Sequence, residues 1–77
     1  MGRASQGEER RTFVGISEAT DEENPATLEE ALRSAAAKVV DAGVVTSGSP
    51  QWFTLTSLEV EIANQHVKTF KAGVTGP

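Results

Sequence analysis

The single tryptophan, Trp52, is the residue of this sequence with the clearest capacity to bind a ligand. Its indole presents a large flat surface, and its N–H needs a hydrogen-bond partner wherever it is buried. It stands near the head of the stretch SPQWFTLTSLEVEI, after a connector rich in Gly, Ser and Pro. Trp52 could plug the core, anchor an interface or stack on a flat aromatic ligand, and the residues alone favour the first two roles.

Few other residues could do chemistry. Glu59 and Glu61 alternate along the same stretch, so on a strand they would share one face and could bind a cation or move a proton. We favour a solvated pair, balanced by Lys68 or Lys71 across a hairpin. The single histidine, His66, has no partners at the spacing of a Ser-His-Asp arrangement. We therefore predict no catalytic residue and no enzyme activity, with an enzyme using these two carboxylates and the histidine as a minor alternative.

The acidic run of Asp21, Glu22 and Glu23 stands just before a predicted helix. It lacks the alternating ligands and the central glycine of a calcium loop. Negative charge at this place stabilises the positive end of a helix. The sequence has no glycine-rich phosphate loop either, so we predict no metal site and no nucleotide fingerprint.

Length and charge favour one small protein that associates with itself. A chain of 77 residues forms one domain that buries only about 60% of its unfolded surface, which makes its own core marginal. Because the chain has no cysteine, disulfides and thiolate metal sites cannot compensate. The net charge of -4 argues against a general nucleic-acid partner. We therefore expect a homo-oligomer.

The chain shows no membrane segment and no secretion signal. No apolar run approaches the roughly 20 residues of a membrane span. The start, MGRASQGEERR, lacks the apolar segment of a signal peptide. A cytoplasmic protein without a membrane partner is the expectation. Residues 1–10 are polar and charged and are predicted to be a disordered tail, with residues 11–75 as a single domain.

One helix is clearly predicted, in the stretch ATLEEALRSAAAKVVDAG. Its apolar residues follow helical spacing and form one stripe: Leu28, Ala31, Leu32, Ala35, Ala36, Val39 and Val40. Thr27 and Glu30 have the spacing of a capping box, and Asn24 followed by Pro25 is a competing start. Gly43 suits the left-handed residue that ends a helix.

Three strands complete the prediction, in the order β-α-β-β. The first begins at Arg11, where Val14 and Ile16 share one face and Gly15 marks a bend or a close backbone approach. The other two form an antiparallel hairpin of strands 51–62 and 65–74, with a turn near Ala63–Asn64. This predicts an α+β fold in which the first strand could pair with either member of the hairpin.

Both strands of the hairpin carry apolar residues that change sides. In the first, Phe53 and Leu55 fall on one side, whereas the later apolar residues fall on the other. A β-bulge could reset the register, or the long strands could extend past the helix to a neighbouring subunit. We favour the second explanation, because a twelve-residue strand of roughly 40 Å exceeds a helix of about 24 Å.

The element order and the pattern WFTLTSLEVEI…HVKTFKAGV resemble the dodecins over residues 11–75. The resemblance implies a three-stranded antiparallel sheet that wraps one helix, and hollow shells of twelve copies. It also implies flavins stacked between tryptophans near the symmetry axes. The connector after the helix is longer here than in the family, and the hairpin is shorter.

The resemblance assigns roles to individual residues. The pair Trp52-Phe53 matches the family pair that opens the second strand, which implies that Trp52 stacks on the flavin. Lys71 and Gly73 match a Lys-x-Gly of the last strand. The family glutamine that bonds the flavin corresponds to Val67, and the nearby Gln65 is the candidate polar contact. The implied function is a homo-oligomeric protein that binds and stores a flavin, FMN or riboflavin. The alternative is a shell-forming assembly protein without flavin, which could bind another small ligand or a cation.

Overall fold

The computed structural model describes residues 10–45 and 48–77. Its elements are strand β1 (Arg11–Glu18), helix α1 (Leu28–Asp41), strand β2 (Thr54–Ala63) and strand β3 (His66–Gly76). The predicted α+β class is therefore confirmed. The predicted disordered tail falls almost wholly on residues 1–9, which lie outside the described residues.

The three strands form one antiparallel sheet in the spatial order β1-β3-β2. The central place of β3, which the sequence left open, puts β1 and β2 at the two edges. Helix α1 packs on β1 and β3, and within the described residues no Cα atom of the helix lies within 8 Å of a Cα atom of β2. The antiparallel sheet and the single helix are confirmed. The dodecin-like arrangement is not, since the strand order β1-β3-β2 does not match it and one strand lies beyond the helix.

The start of α1 follows the capping box rather than the competing Asn24-Pro25 start. The backbone of Thr27 is extended, with φ −134° and ψ 150°, and its hydroxyl accepts the N–H of Glu30 at 3.1 Å. The Glu30 carboxylate does not return to Thr27 but accepts the hydroxyl of the buried Ser17 at 2.7 Å. Ser17 in turn accepts the N–H of Thr27 at 3.1 Å, so one side chain of β1 satisfies the start of the helix.

The end of α1 confirms the role predicted for Gly43. Its φ of 78° is left-handed, and its N–H donates to the carbonyl of Val40 at 2.9 Å. The N–H of Val44 donates to the carbonyl of Val39 at 3.3 Å. These two bonds form a Schellman motif, which satisfies carbonyls that a helix end would otherwise leave free.

Helix α1 lies closest to the sheet at Gly15, on β1. A side-chain carbon at this position would overlap the carbonyl oxygen of Ala31 and the backbone nitrogen of Ala35. Both alanines are fully buried. Of the two predicted readings of Gly15, the close backbone approach is therefore correct, and it gives two backbones a contact that larger residues would hold apart.

Two β-bulges explain why the apolar residues of the hairpin change sides. Thr56 is an extra residue in β2, and Lys68 is an extra residue in β3. After each bulge the alternation resumes on the original side. Leu58, for example, lies opposite Ala72, which lies opposite Gly15 and so faces the helix side of the sheet. The bulge explanation of the change of sides is therefore correct, and the strands do not carry two apolar faces. The favoured contact of these strands with a neighbouring subunit stays a prediction.

Strand β2 begins at Thr54 and not at Gln51 as predicted. The pairing of β2 with β3 begins at Thr54, which lies opposite Thr75. Phe53 follows next, and its ring lies over Gly76, the last residue of β3, so residues 51 and 52 lie beyond the end of β3. The turn is as predicted, with Asn64 at a φ of 59°. Trp52 therefore precedes the strand instead of lying within it.

We predict that Gly15→Ala lowers the free energy of unfolding by about 3 kcal/mol or prevents folding, because the new carbon meets backbone atoms that cannot move aside. Urea unfolding at one fixed protein concentration measures the loss. Gly43→Ala is the control, since no atom lies within 4 Å of its added carbon and only the φ of 78° is penalised, by about 1–2 kcal/mol. Equal losses in the two variants would contradict the close approach.

Candidate functional site

The neighbour of Trp52 in the chain, Phe53, is anchored on the sheet, whereas the side chain of Trp52 stands in solvent. The ring of Phe53 packs edge-to-face on Phe13, with centroids 6.5 Å apart, and also lies over Gly76. This contact fixes the segment that leads into β2. The side chain of Trp52 itself is 95% exposed. Trp52 therefore does not plug the core of its own chain, which leaves an interface or a ligand as its role.

Strand β2 presents an uncovered apolar surface next to Trp52. Every residue of β2 is exposed. The side chains on its helix side form what we call the open face, and they are Leu55, Leu58, Val60 and Ile62. Large exposed apolar patches mark interaction surfaces in proteins, whereas scattered single residues do not. The open face is a row of four along one strand, and so belongs to the first kind.

The helix adds a second apolar surface on the same side. The predicted stripe of α1 divides in two: Ala31, Ala35 and Val39 are buried against the sheet, whereas three further residues are exposed. We call these three the helix flank; they are Leu32, Ala36 and Val40. Between the helix flank and the sheet lies a groove of about 310 Å³. Its lining includes Phe53 and Val74, and also Gln51, so the residues on either side of Trp52 in the chain border this groove.

The structure places Gln65 far from Trp52 within one chain. Gln65 lies in the turn that follows β2, whereas Trp52 precedes the same strand. The ten residues of β2 span about 33 Å. The two predicted ligand contacts therefore cannot touch one small molecule from the same chain. A site that uses both must take Trp52 from one copy and Gln65 from another.

The carboxylates of Glu59 and Glu61 lie on the opposite side of the sheet, the outer face. Glu59 lies across from Lys71, and their charged groups are 3.5 Å apart. Glu61 accepts the hydroxyl of Thr69 at 3.0 Å. The predicted balance of this pair by a lysine is confirmed for Lys71. It is not made by Lys68, which occupies the bulge.

His66 is not gathered with those carboxylates. It begins β3 at the hairpin turn and is exposed. It lines a groove of about 370 Å³ together with Asp21, Glu22 and Lys68. In the part of the chain that the structure describes, no hydrogen bond or ion pair joins His66 to Glu59 or Glu61. His66, Glu59 and Glu61 therefore do not form one acid–base group in this structure.

The acidic run before α1 is organised around its own backbone. One carboxylate oxygen of Asp21 accepts the N–H groups of Glu23 and Asn24, at 2.8 and 2.9 Å. It also accepts the side-chain nitrogen of Asn24 at 3.1 Å. Over residues 10–45 and 48–77 no group of three or more metal-binding side chains comes together. The Asp21 carboxylate is thus engaged as a turn-forming group.

Comparison of the chain with protein-family models, with curated proteins and with solved structures found no match. The resemblance to the dodecins therefore stays a prediction from the residues quoted above. In the described residues, no helix has both the length and the apolar character that crossing a membrane requires.

Three polar residues with structural roles were missed by the sequence analysis. Ser17 joins β1 to the start of α1. Ser34 and Lys38 bond the backbone of β1 from the helix, at the groups of Ile16 and Val14. Ser17 could have been noticed because it falls on the same face of the strand as Gly15. The two helix residues carry no signal, since lysine and serine on the polar side of a helix are ordinary.

We predict that the fluorescence of Trp52 reports assembly. The chain has one tryptophan and its side chain is 95% exposed. A dissociated chain should therefore emit at the long wavelength of free tryptophan amide and be quenched as strongly by acrylamide. Concentrated protein should emit at shorter wavelength if copies or a ligand cover the ring. A short-wavelength, acrylamide-resistant emission from diluted chains whose mass is 8.1 kDa would contradict the exposed position.

Proposed function

We propose that this chain forms a homo-oligomer that binds and stores a small flat aromatic ligand, with a flavin, riboflavin or FMN, as the first candidate. The observation that carries the proposal is the exposure of Trp52. Isolated, fully exposed tryptophans are uncommon, because the ring has more apolar surface than most side chains. An indole that is exposed to solvent next to the anchored Phe53 offers a flat surface on which an aromatic ligand can stack.

The position of the open face and Gln65 supports a site shared between copies. Trp52 precedes β2 at one end, and Gln65 follows β2 at the other end. Copies that meet along β2 would bring these two ends of different chains near each other. The indole would then stack on the ligand, and the amide of Gln65 would offer a hydrogen-bond donor and an acceptor to its polar edge. A closed shell of twelve copies rests only on the sequence resemblance to the dodecins, whose strand order this sheet does not share.

The proposed activity is sequestration and not catalysis. A tryptophan in contact with a flavin ring quenches its excited state, which limits photochemical side reactions of the stored ligand. The side chains with acid–base capacity, Glu59, Glu61 and His66, lie away from Trp52 or are engaged with neighbours. No step of bond making is therefore assigned to them.

Titration of riboflavin and FMN with the protein tests the flavin function. We expect the ligand fluorescence to fall at micromolar protein, because the indole stacks on the ring. Trp52→Leu should weaken binding about tenfold or more, since stacking on an aromatic side chain contributes about 1–3 kcal/mol per ring. Trp52→Phe keeps a smaller aromatic ring, so its affinity for the flavin should lie between those of the wild type and Trp52→Leu. Unchanged ligand fluorescence with wild-type protein would end the flavin proposal.

A second candidate is an assembly protein that needs no flavin. The groove of about 310 Å³ beside Trp52 favours it, because the tryptophan of a neighbouring copy could fill this apolar space. Another small ligand or a cation could still bind elsewhere in such a shell. Both candidates require a particle much larger than the 8.1 kDa of one chain.

Mass and melting measurements on Trp52→Ala separate the two candidates. If Trp52 fills a neighbour, the variant should dissociate or melt at least several degrees below the wild type in the absence of ligand. If Trp52 only stacks on a ligand, ligand-free assembly and melting should be unchanged. Light scattering gives the mass, and Ile16→Ala, at an exposed residue of the outer face, is the control.

A further inference from the structure

Helix α1 closes the free edge of β1 with two of its side chains. The Lys38 ammonium donates to the carbonyl of Val14 at 2.6 Å, and the Ser34 hydroxyl accepts the N–H of Ile16 at 3.3 Å. These are backbone groups that point away from β3. They are among the groups that an added strand would use, so the helix already engages the middle of this edge at two groups.

The edge of β2 has no such cover. Because the backbone groups of Ile16 point away from β3, those of its partner Lys71 point towards β2, where they meet Glu59. Alternation along β2 then directs the N–H and C=O of Leu58 and Val60 outwards. In the described residues, no backbone bond outside the β2–β3 ladder involves any residue of β2.

The open edge and the open face are thus carried by the same strand. Leu58 and Val60 present free backbone groups sideways and apolar side chains towards the helix side. The open face continues through Leu55 and its partner Val74 into the groove below the helix flank. Together with the helix flank, these surfaces place a row of large exposed apolar side chains on one side of the molecule, and they are Leu32, Val40, Leu55, Leu58, Val60 and Ile62.

A second copy of the chain is the occupant that the structure favours. The buried apolar residues of the described chain are small, four alanines and one valine, and no large side chain is fully buried. Such a small core stabilises the single chain only weakly, so the open face should be covered by a partner that is always present. Another copy of the chain meets this condition. A standard interface takes roughly 800 Å² from each partner, and a continuous apolar row such as the open face with the helix flank is the kind of surface that forms its centre.

We propose that a second copy covers the helix side of β2, so that Leu55, Leu58, Val60 and Ile62 become buried while the outer face stays accessible. This inference rests on the homo-oligomer of the proposed function and adds the surface through which the copies join. It predicts that one isoleucine becomes buried in the assembly while another stays accessible. Ile62 lies on the open face, and Ile16 lies on the outer face of β1.

Single-cysteine variants test this assignment, since the chain has no cysteine of its own. In one chain the side chain of Ile62 is 65% exposed and that of Ile16 is 47% exposed, so a thiol at 62 should react faster. If a second copy covers the open face, the order reverses. We expect Ile62→Cys to react with a small maleimide at least tenfold more slowly than Ile16→Cys, with equal rates after unfolding in urea.

Purified protein contains no other polypeptide, so slow reaction at residue 62 can come only from further copies of the chain. Native mass spectrometry of the wild type is run beside the labelling. An oligomer in which Ile62→Cys reacts as fast as Ile16→Cys, or faster, would overturn this surface but leave the homo-oligomer standing. A wild type that stays at 8.1 kDa at high concentration would overturn both. Riboflavin binding is scored separately and bears on neither outcome.

A pair of charge variants covers the case in which a cysteine at position 62 itself disturbs assembly. Leu58 and Ile16 are each 47% exposed, on opposite sides of the sheet. Leu58→Lys should shift the particle to single chains, whereas Ile16→Lys should keep the wild-type mass. Circular dichroism checks that each variant retains its strands and helix. Retention of the assembly by a folded Leu58→Lys variant would count against the proposed surface.

Discussion

The close approach of α1 to β1 is the contact on which the rest of this structure depends. It exists because Gly15 has no side chain and because Ala31 and Ala35 have small ones. Polar ties at Ser17 and Lys38 hold the helix in the same place. With a diameter of about 10 Å, a helix centred over this side of the sheet cannot also reach the third strand. The uncovered β2 is therefore a consequence of how the helix is seated, and not of a missing element.

This seating also determines what kind of core the chain has. Alanine gives a tight helix–sheet contact but little apolar area, so the larger aliphatic residues remain at the sides of that contact. Leu32 and Val40 on the helix and the four residues of the open face are all of this kind. The same residues would contribute most once buried between copies. In the proposed assembly, folding and association would be linked, and a ligand site that uses both Trp52 and Gln65 would take them from different chains.

Much of the fold follows from local signals in the sequence. The helix ends at Thr27 and Gly43 were predictable because caps depend on residue type and spacing. The turn at Asn64 follows similarly from its tolerance of positive φ. The place of β3 between the other strands, and the bulges at Thr56 and Lys68, were not predictable, since pairing register depends on all three strands together.

The candidate site was predictable only in part, for the same reason. Composition singles out Trp52, but nothing local shows that its side chain is exposed or that Gln65 lies at the far end of the strand.

The two bonds from α1 to the edge of β1 have a consequence for how the sheet could be extended. A strand added beside β1 would need the carbonyl of Val14 and the N–H of Ile16, and Lys38 and Ser34 already bind these two groups. An incoming strand would therefore compete with the helix at β1, whereas at β2 it would meet no such competition, which gives the sheet a direction for growth.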